Sequence, residues 1–239
     1  MMRRRWIADE VSGNSAALVG EHADHLVRVL RARVGQEFDI ASGESVRRGR
    51  ISSIDNKRVE FDLFEDLPSL AQNELTLFLA IFKFDRMEWA IEKCTELGVA
   101  RIVPVVARRT DSHLGAAAVK RAERWQRIAR QASQQSRRIS PPEIALPMKL
   151  AEAVRGIESL RIVLAESEER TSLRDVLTAE SNHNRVSLAV GPEGGWTDDE
   201  LSLFQEFGWT SASLGRTILR AETAAIAATA VVSSSLVTF

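Results

Sequence analysis

Two glycine-bearing segments are where this sequence could do chemistry. Gly191-Pro192-Glu193-Gly194-Gly195 follows an apolar run at 186–190 and precedes Thr197-Asp198-Asp199-Glu200, whose Thr-x-x-Glu spacing predicts a capping box opening a helix. Glycines at the carboxyl end of a strand let backbone approach a ligand closely, and open α/β sheets bind ligands at such ends. The spacing fits neither the phosphate-cradling P-loop nor the dinucleotide glycine pattern. It reads as a ligand loop whose ligand class is open, with a purely structural tight turn as the competing reading. The second segment is Leu214-Gly215-Arg216-Thr217-Ile218-Leu219-Arg220-Ala221-Glu222-Thr223, which leads into an alanine-rich, almost uncharged stretch. Arg216 and Arg220 there stand before a helix that should be buried on most sides. Glu222 in its first turn could be functional, or simply a carboxylate that complements the helix dipole.

Other reactive residue types offer less. Cys94 is the only cysteine, which excludes a disulfide framework and a thiolate zinc cluster. It lies on an apolar helical stripe, where a buried thiol is expected. His22 and His25 have metal-pair spacing but no evident third ligand, so no metal site is expected. His113 and His183 stand alone in polar stretches.

The net charge of −1 hides a segregated distribution. Residues 101–138 hold ten Lys/Arg against two acids, and residues 140–206 hold thirteen acids against six bases. A basic block reopens nucleic-acid binding that a neutral total would argue against, although a solvated helix face accounts for the charge equally well. No run approaches the ~20 apolar residues of a membrane span. The arginine-rich start is followed by Asp9, Glu10, Ser12, Gly13 and Asn14 rather than an apolar signal core, so a cytoplasmic protein is expected.

The elements that must position these residues change character along the chain. The first ~70 residues give short β-like runs at 37–40, 50–54 and 59–63 around one helical stretch from about His22 to Arg31, which predicts a small β-barrel with a single helix. Pro68, Ser69 and Gln72-Asn73 form a linker, dividing the chain into domains 1–71 and 72–239. Beyond it, strands at 75–82, 101–107, 161–165, 186–190 and 211–214 alternate with helices. The helices carry Met87, Ala90, Ile91, Cys94 and Leu97, then the basic stretch 120–135, then 198–207, then about 222 to the end. That alternation implies a mostly parallel sheet covered on both faces.

Both glycine junctions, together with Asp85-Arg86-Met87-Glu88-Trp89 running into Lys93-Cys94-Thr95-Glu96-Leu97-Gly98-Val99, resemble the signatures of the RsmE family. These are 16S rRNA uracil-N3 methyltransferases of the SPOUT, or trefoil-knot, superfamily. Glu123-Arg124-Trp125, Ala129-Arg130-Gln131-Ala132, Gln135-Ser136 and His25-Leu26-Val27-Arg28-Val29-Leu30-Arg31 add to the match, which spans nearly the whole chain. The resemblance implies a PUA-like RNA-binding β-barrel followed by an α/β trefoil-knot domain. It also implies S-adenosylmethionine as cofactor, a homodimer, and rRNA of the small ribosomal subunit as partner. Carried over by motif, the cofactor residues are Leu164, Ala165, Glu166, Gly191, Pro192, Glu193, Gly194, Gly195, Leu214, Gly215, Ile218 and Leu219. Two departures stand out: Gly215-Arg216-Thr217 replaces the family's Gly-Pro-Arg, and Gln135-Ser136-Arg137-Arg138 replaces its Gln-Ser-Gly-Arg.

Methylating uracil N3 requires loss of its proton, whose pKa lies about two units above neutrality, at ~1.4 kcal/mol per unit. Arg220 is the candidate for stabilising the anionic base, and Glu222 for orienting it or accepting the proton. A helix-start charge and a phosphate contact are the competing roles. RNA contacts are expected from Arg3, Arg4 and Arg5 beside a stacking Trp6, from Arg28, Arg31 and Arg33 on a helical face, and from Arg124, Arg127, Arg130, Arg137 and Arg138. A knotted enzyme acting on another base or a ribose 2′-hydroxyl, and a non-catalytic RNA-binding assembly factor, are the alternatives.

Overall fold

The computed structural model describes residues 5–43, 45–68, 74–180 and 184–236. Arg3, Arg4, His183 and the linker residues 69–73 lie outside the described residues. The chain divides into two compact units, Met1–Ala71 with Ser133–Pro141, and Gln72–Ala132 with Pro142–Phe239.

The first unit holds β1 (Arg5–Ile7), β2 (Glu10–Ser12), β3 (Ser15–Val19), α1 (Glu21–Asp24), β4 (Glu37–Ala41), β5 (Val46–Asp55) and β6 (Arg58–Leu67), in the sheet order β1-β4-β5-β6-β3-β2. The two outer strands are consecutive pieces of one chain run bent at Ala8 and Asp9, whose N–H groups donate to Ala41 O and Ala17 O at 2.9 Å each. One bent strand therefore borders both ends of the sheet, which is how a small barrel limits exposed edges. Its interior is an apolar cluster around Leu18, Leu26, Ile51, Val59 and Phe61. Trp6 belongs to that cluster, 6% exposed and packed on the His25 ring at 5.8 Å, and is not the exposed stacking platform expected from sequence. α1 runs on in wider π-helical turns over His25–Val29 and stops there. Arg31 follows in a left-handed conformation (φ 53°), so Arg31 and Arg33 lie beyond the helix rather than on its face. His22 Nδ1 faces Asp9 Oδ1 at 3.0 Å.

The second unit holds β7 (Glu74–Ala80), α2 (Phe84–Glu96), β8 (Arg101–Val106), α3 (Ser112–Gln135), β9 (Glu143–Ile144), β10 (Met148–Lys149), α4 (Leu150–Ala153), β11 (Leu160–Leu164), α5 (Leu173–Ala179), β12 (Arg185–Val190), α6 (Asp198–Glu206), β13 (Thr210–Ala212) and α7 (Ala221–Leu236). The last turn of α3 is counted with the first unit. All pairings in this sheet are parallel, in the order β10-β8-β7-β12-β11-β13 with β9 beside β8. Strand residues alternate between two buried clusters, one on each face. Leu77, Leu79, Leu188 and Val190 pack with residues of α2, α3 and α7, while Phe78, Ala80, Val103 and Ala189 pack with Trp196, Phe204 and Trp209. This two-sided burial explains why the strands read as continuous apolar runs.

α2 buries Met87, Ala90, Ile91 and Cys94. It ends in a Schellman motif, in which Gly98 (φ 97°) donates to Thr95 O at 3.0 Å and Val99 to Cys94 O at 3.2 Å. Burial pushes the Cys94 thiol up to about 12, with a Thr229 hydrogen bond opposing it, so this cysteine is an inert core residue. No helix among the described residues is long and apolar enough to cross a membrane, and no cluster of three His, Cys, Asp or Glu could hold a metal ion.

Candidate active site

Three strands carry the site. β12, β11 and β13 are parallel neighbours with Val163 opposite Ala189 and Leu164 opposite Ala212, so the loops leaving their carboxyl ends lie side by side. Those loops wall a cleft of about 540 Å³. From β11 come Leu164, Ala165 and Glu166; from β12 come Gly191, Pro192, Glu193, Gly194 and Gly195; from β13 come Leu214, Gly215, Ile218 and Leu219. Segments separated by tens of residues in sequence thus share one wall. Arg216, Thr217 and Arg220 line it too.

The glycine loop is shaped by close approach. A Cβ at Gly191 would stand 3.2 Å from the Trp196 indole nitrogen, and one at Gly194 would stand 3.2 Å from Arg109 Cδ. Gly195 adopts φ 69°, a left-handed conformation that favours glycine, and its N–H donates to Pro192 O at 2.8 Å. α6 then starts on the capping box expected from sequence, with Thr197 Oγ1 accepting from Glu200 N and Glu200 Oε2 accepting from Thr197 N.

A second loop braces the first, and sequence reasoning missed it. Arg109, just after β8, donates from Nη1 to Gly194 O at 2.5 Å and to Trp196 O at 3.3 Å. The neighbouring Arg108 N–H donates at 2.8 Å to Glu200 Oε1, so the buried capping carboxylate also ties the two loops together. Thr110 Oγ1 donates to Ile81 O at 3.0 Å and fixes that loop against the end of β7. No motif marks Arg109, and its partners lie more than eighty residues away.

The expected catalytic pair is split by burial. Arg220 is exposed on the cleft wall. Glu222 is 4% exposed in the first turn of α7 and does not line the cleft. Its Oε1 lies 3.7 Å from Arg86 Nη1, and its buried Oε2 has no hydrogen-bond partner among the described residues. Arg86, in the first turn of α2, does line the cleft.

The candidate RNA-contact arginines differ in availability. Arg31 and Arg33 are exposed, and Arg28 pairs loosely with Asp24 at 3.4 Å. Arg5 donates to Arg137 O. Arg124 forms a two-pronged pair with Glu88 at 2.6 and 2.7 Å, so the basic helix is less charged than its sequence suggests. Arg130 is half-buried. Burial pushes the Arg138 guanidinium down to about 10, which leaves it charged at neutral pH, and its Nε donates to Ser140 O.

Known proteins resemble this chain over the same span. The family described as an RNA methyltransferase domain matches residues 69–233, and that described as an RNA methyltransferase PUA domain matches residues 20–64. Ribosomal RNA small subunit methyltransferase E of Synechocystis sp. is 33% identical over 236 residues, covering 95% of this chain and 76% of the relative. Its counterpart in Rickettsia conorii is 33% identical over 233 residues, covering 95% and 93%. A Ribosomal RNA small subunit methyltransferase E from Neisseria gonorrhoeae, solved bound to S-adenosyl methionine, superposes with a TM-score of 0.86 at 28% identity over 98% of both chains.

Proposed function

The chain belongs to the ribosomal RNA small subunit methyltransferase E family, and on that premise we propose that it methylates N3 of a uridine in 16S rRNA using S-adenosylmethionine. One observation carries the reading: all twelve residues expected to hold the cofactor, drawn from three separate segments, line a single cleft at the carboxyl ends of adjacent parallel strands. The assignment includes residues 1–71 as a PUA-like RNA-binding domain and 72–239 as a trefoil-knot methyltransferase domain acting in the cytoplasm.

The cleft residues fit the cofactor. Gly191 and Gly194 leave room that a side chain would fill, and the Trp196 indole N–H beside them is buried without a hydrogen-bond partner among the described residues. Glu166 and Glu193 supply carboxylates to a ligand that carries positive charge and ribose hydroxyls. When bound there, S-adenosylmethionine supplies a methyl group activated for in-line displacement. The chain's own task is positioning and charge. Leu164, Leu214, Ile218 and Leu219 present apolar surface, and Ile218 is 80% exposed, available to cover a bound ligand. Arg220 faces the cleft as a cation able to stabilise the uracil once its N3 proton has left. Glu222, buried outside the cleft lining, is assigned to orienting the base or receiving the proton.

RNA contacts are assigned to Arg3, Arg4, Arg5, Arg28, Arg31, Arg33, Arg124, Arg130 and Arg138. A homodimer completes the proposal. Its support is an apolar groove of about 400 Å³ between α2 and α7, lined by Trp89, Leu97, Ile226 and Ala227, with Trp89 half-exposed. Mass spectrometry of small-subunit rRNA from a deletion strain tests enzyme and position together. The expected result is loss of one N3-methyluridine; retention of every methyluridine would sink the proposal. Equilibrium binding of S-adenosylmethionine separates it from a non-catalytic assembly factor, which would show no affinity into the millimolar range.

A further inference from the structure

We propose that Arg86 is a catalytic residue of this cleft, contacting a carbonyl oxygen of the target uracil and holding it as the N3 anion, with Glu222 as its positioning residue. The inference rests on the uracil-N3 reading above. The first turns of two helices meet here: Arg86 projects from α2 into the cleft, and Glu222 sits at the start of α7 behind it. Arg86 is one-third exposed and Glu222 almost wholly buried, at an N–O distance of 3.7 Å. A buried carboxylate oxygen without a partner is costly, so the site retains a group that a better-packed core would replace. The contact engages one corner of the guanidinium. A guanidinium has five N–H donors, so most of this fork is left for another acceptor.

The other cleft cations are arranged differently. Arg109 is committed to the carbonyls of Gly194 and Trp196. Arg216 and Arg220 are exposed on the loop that also carries the exposed Ile218, and they form no ion pair among the described residues. Among the described residues, Arg86 is the one cleft cation tied to a buried carboxylate. A charge fixed before reaction stabilises developing negative charge without reorganisation. A fixed cation would repel a sulfonium, so it belongs on the side of the acceptor base. A guanidinium donates hydrogen bonds and cannot accept a proton, and Glu222 is walled off from the cleft. In the step, the N3 proton therefore leaves to solvent. The freed nitrogen pair forms the new N–CH3 bond, and the C–S pair returns to sulfur. Of the two roles open to Glu222, its burial favours orientation, exerted through Arg86.

The test is single-turnover methylation of small-subunit rRNA across neutral to alkaline pH, alongside equilibrium binding of S-adenosylmethionine, for Arg86→Ala, Arg86→Gln, Arg86→Lys and Glu222→Gln. Arg86→Ala and Arg86→Gln should each slow the reaction at neutral pH by about 100–1000-fold. Both should move the rise of rate with pH upward by about one unit, because the cation that acidifies N3–H is gone. Cofactor affinity should stay within about threefold, since Arg86 stands on α2, on the acceptor side of the cleft, and not on any of the three cofactor loops. Arg86→Lys should keep the wild-type pH midpoint while losing part of the rate, and Glu222→Gln should shift the midpoint in the same direction as Arg86→Gln by less. Wild-type rates in Arg86→Gln, slowing without a shifted pH midpoint, or a fall in cofactor affinity matching the fall in rate would each overturn the proposal. Failure of the wild type to bind cofactor or methylate rRNA would instead overturn the reading on which it rests.

Discussion

Arginines are put to opposite uses in the two units. On β5 of the first unit, Arg47 lies 3.2 Å from Asp66, Arg48 lies 3.7 Å from Asp39 and 2.8 Å from Glu65, and Arg50 lies 2.9 Å from Glu37. Antiparallel neighbours place a carboxylate opposite each cation, as cross-strand pairing favours. At the cleft, Arg216 and Arg220 have no carboxylate partner among the described residues, Arg109 holds backbone carbonyls, and Arg86 meets a single buried acid. The carboxyl ends of parallel strands lead into loops rather than into another strand, so cations there have no partner built opposite them. Charge counting along the sequence treats both groups alike; the topology separates them.

The largest effect should come from a cleft arginine. Arg220→Ala is expected to reduce the single-turnover methylation rate by about 100–1000-fold, the cost of one preorganised donor at a developing charge. Thermal stability should be nearly unchanged, because the side chain is exposed and makes no ion pair among the described residues. A rate within a few-fold of wild type would erase the contrast between the two sets of arginines.

An intermediate effect is expected at Arg109, which is a cleft cation but serves structure there. Arg109→Ala removes two charge-assisted bonds that hold the glycine loop, each worth roughly 1.5–3 kcal/mol when desolvated and less at this exposed position. S-adenosylmethionine affinity should fall about tenfold with little change in the rate at saturating cofactor, read by titration calorimetry and single-turnover kinetics. A rate loss at saturation would move Arg109 from bracing the loop to contacting the reaction.

The contrast also marks what the sequence makes visible. The apolar strands and the Thr197–Glu200 capping box are local patterns with local causes and stand close to where the pattern put them, whereas the basic helix expected over 120–135 already begins at Ser112 and the helical stretch expected to reach Arg31 ends at Val29. β1, β2 and β3 escaped, because they are three to five residues long, β2 is exposed throughout, and the bend at Ala8 and Asp9 has no glycine or proline to mark it. β9, β10 and α4 are too short to show periodicity. Trp6 was misread because its neighbouring arginines suggested a surface, whereas parallel pairing of β1 with β4 turns the indole inward. In the site, the loops at 191–195 and 214–223 stand out by their own residues, whereas the glycine-free Leu164-Ala165-Glu166 loop came only with the family resemblance. Arg86 and Arg109 were not assigned roles, because their contacts join segments over a hundred and over eighty residues apart.

The smallest effect should be found where the pairing is densest and most exposed. Arg50 carries an ion pair with Glu37 and lies over the Phe64 ring at 5.3 Å, but both Arg50 and Phe64 are more than half open to solvent or close to it. Water and salt screen such a pair, and ordering two long side chains offsets part of the gain, so Arg50→Ala should change urea-unfolding stability by less than about 1 kcal/mol. The difference should shrink further at high salt, where surface attractions are damped over a few ångströms. Cofactor affinity should be unaltered, since the substitution lies in the other compact unit. A loss well above that figure, or one insensitive to salt, would mean that this arginine supports the barrel by packing its stem on Phe64. The first unit's arginines would then be core supports rather than solvated partners, and the contrast with the cleft would rest on burial instead of pairing.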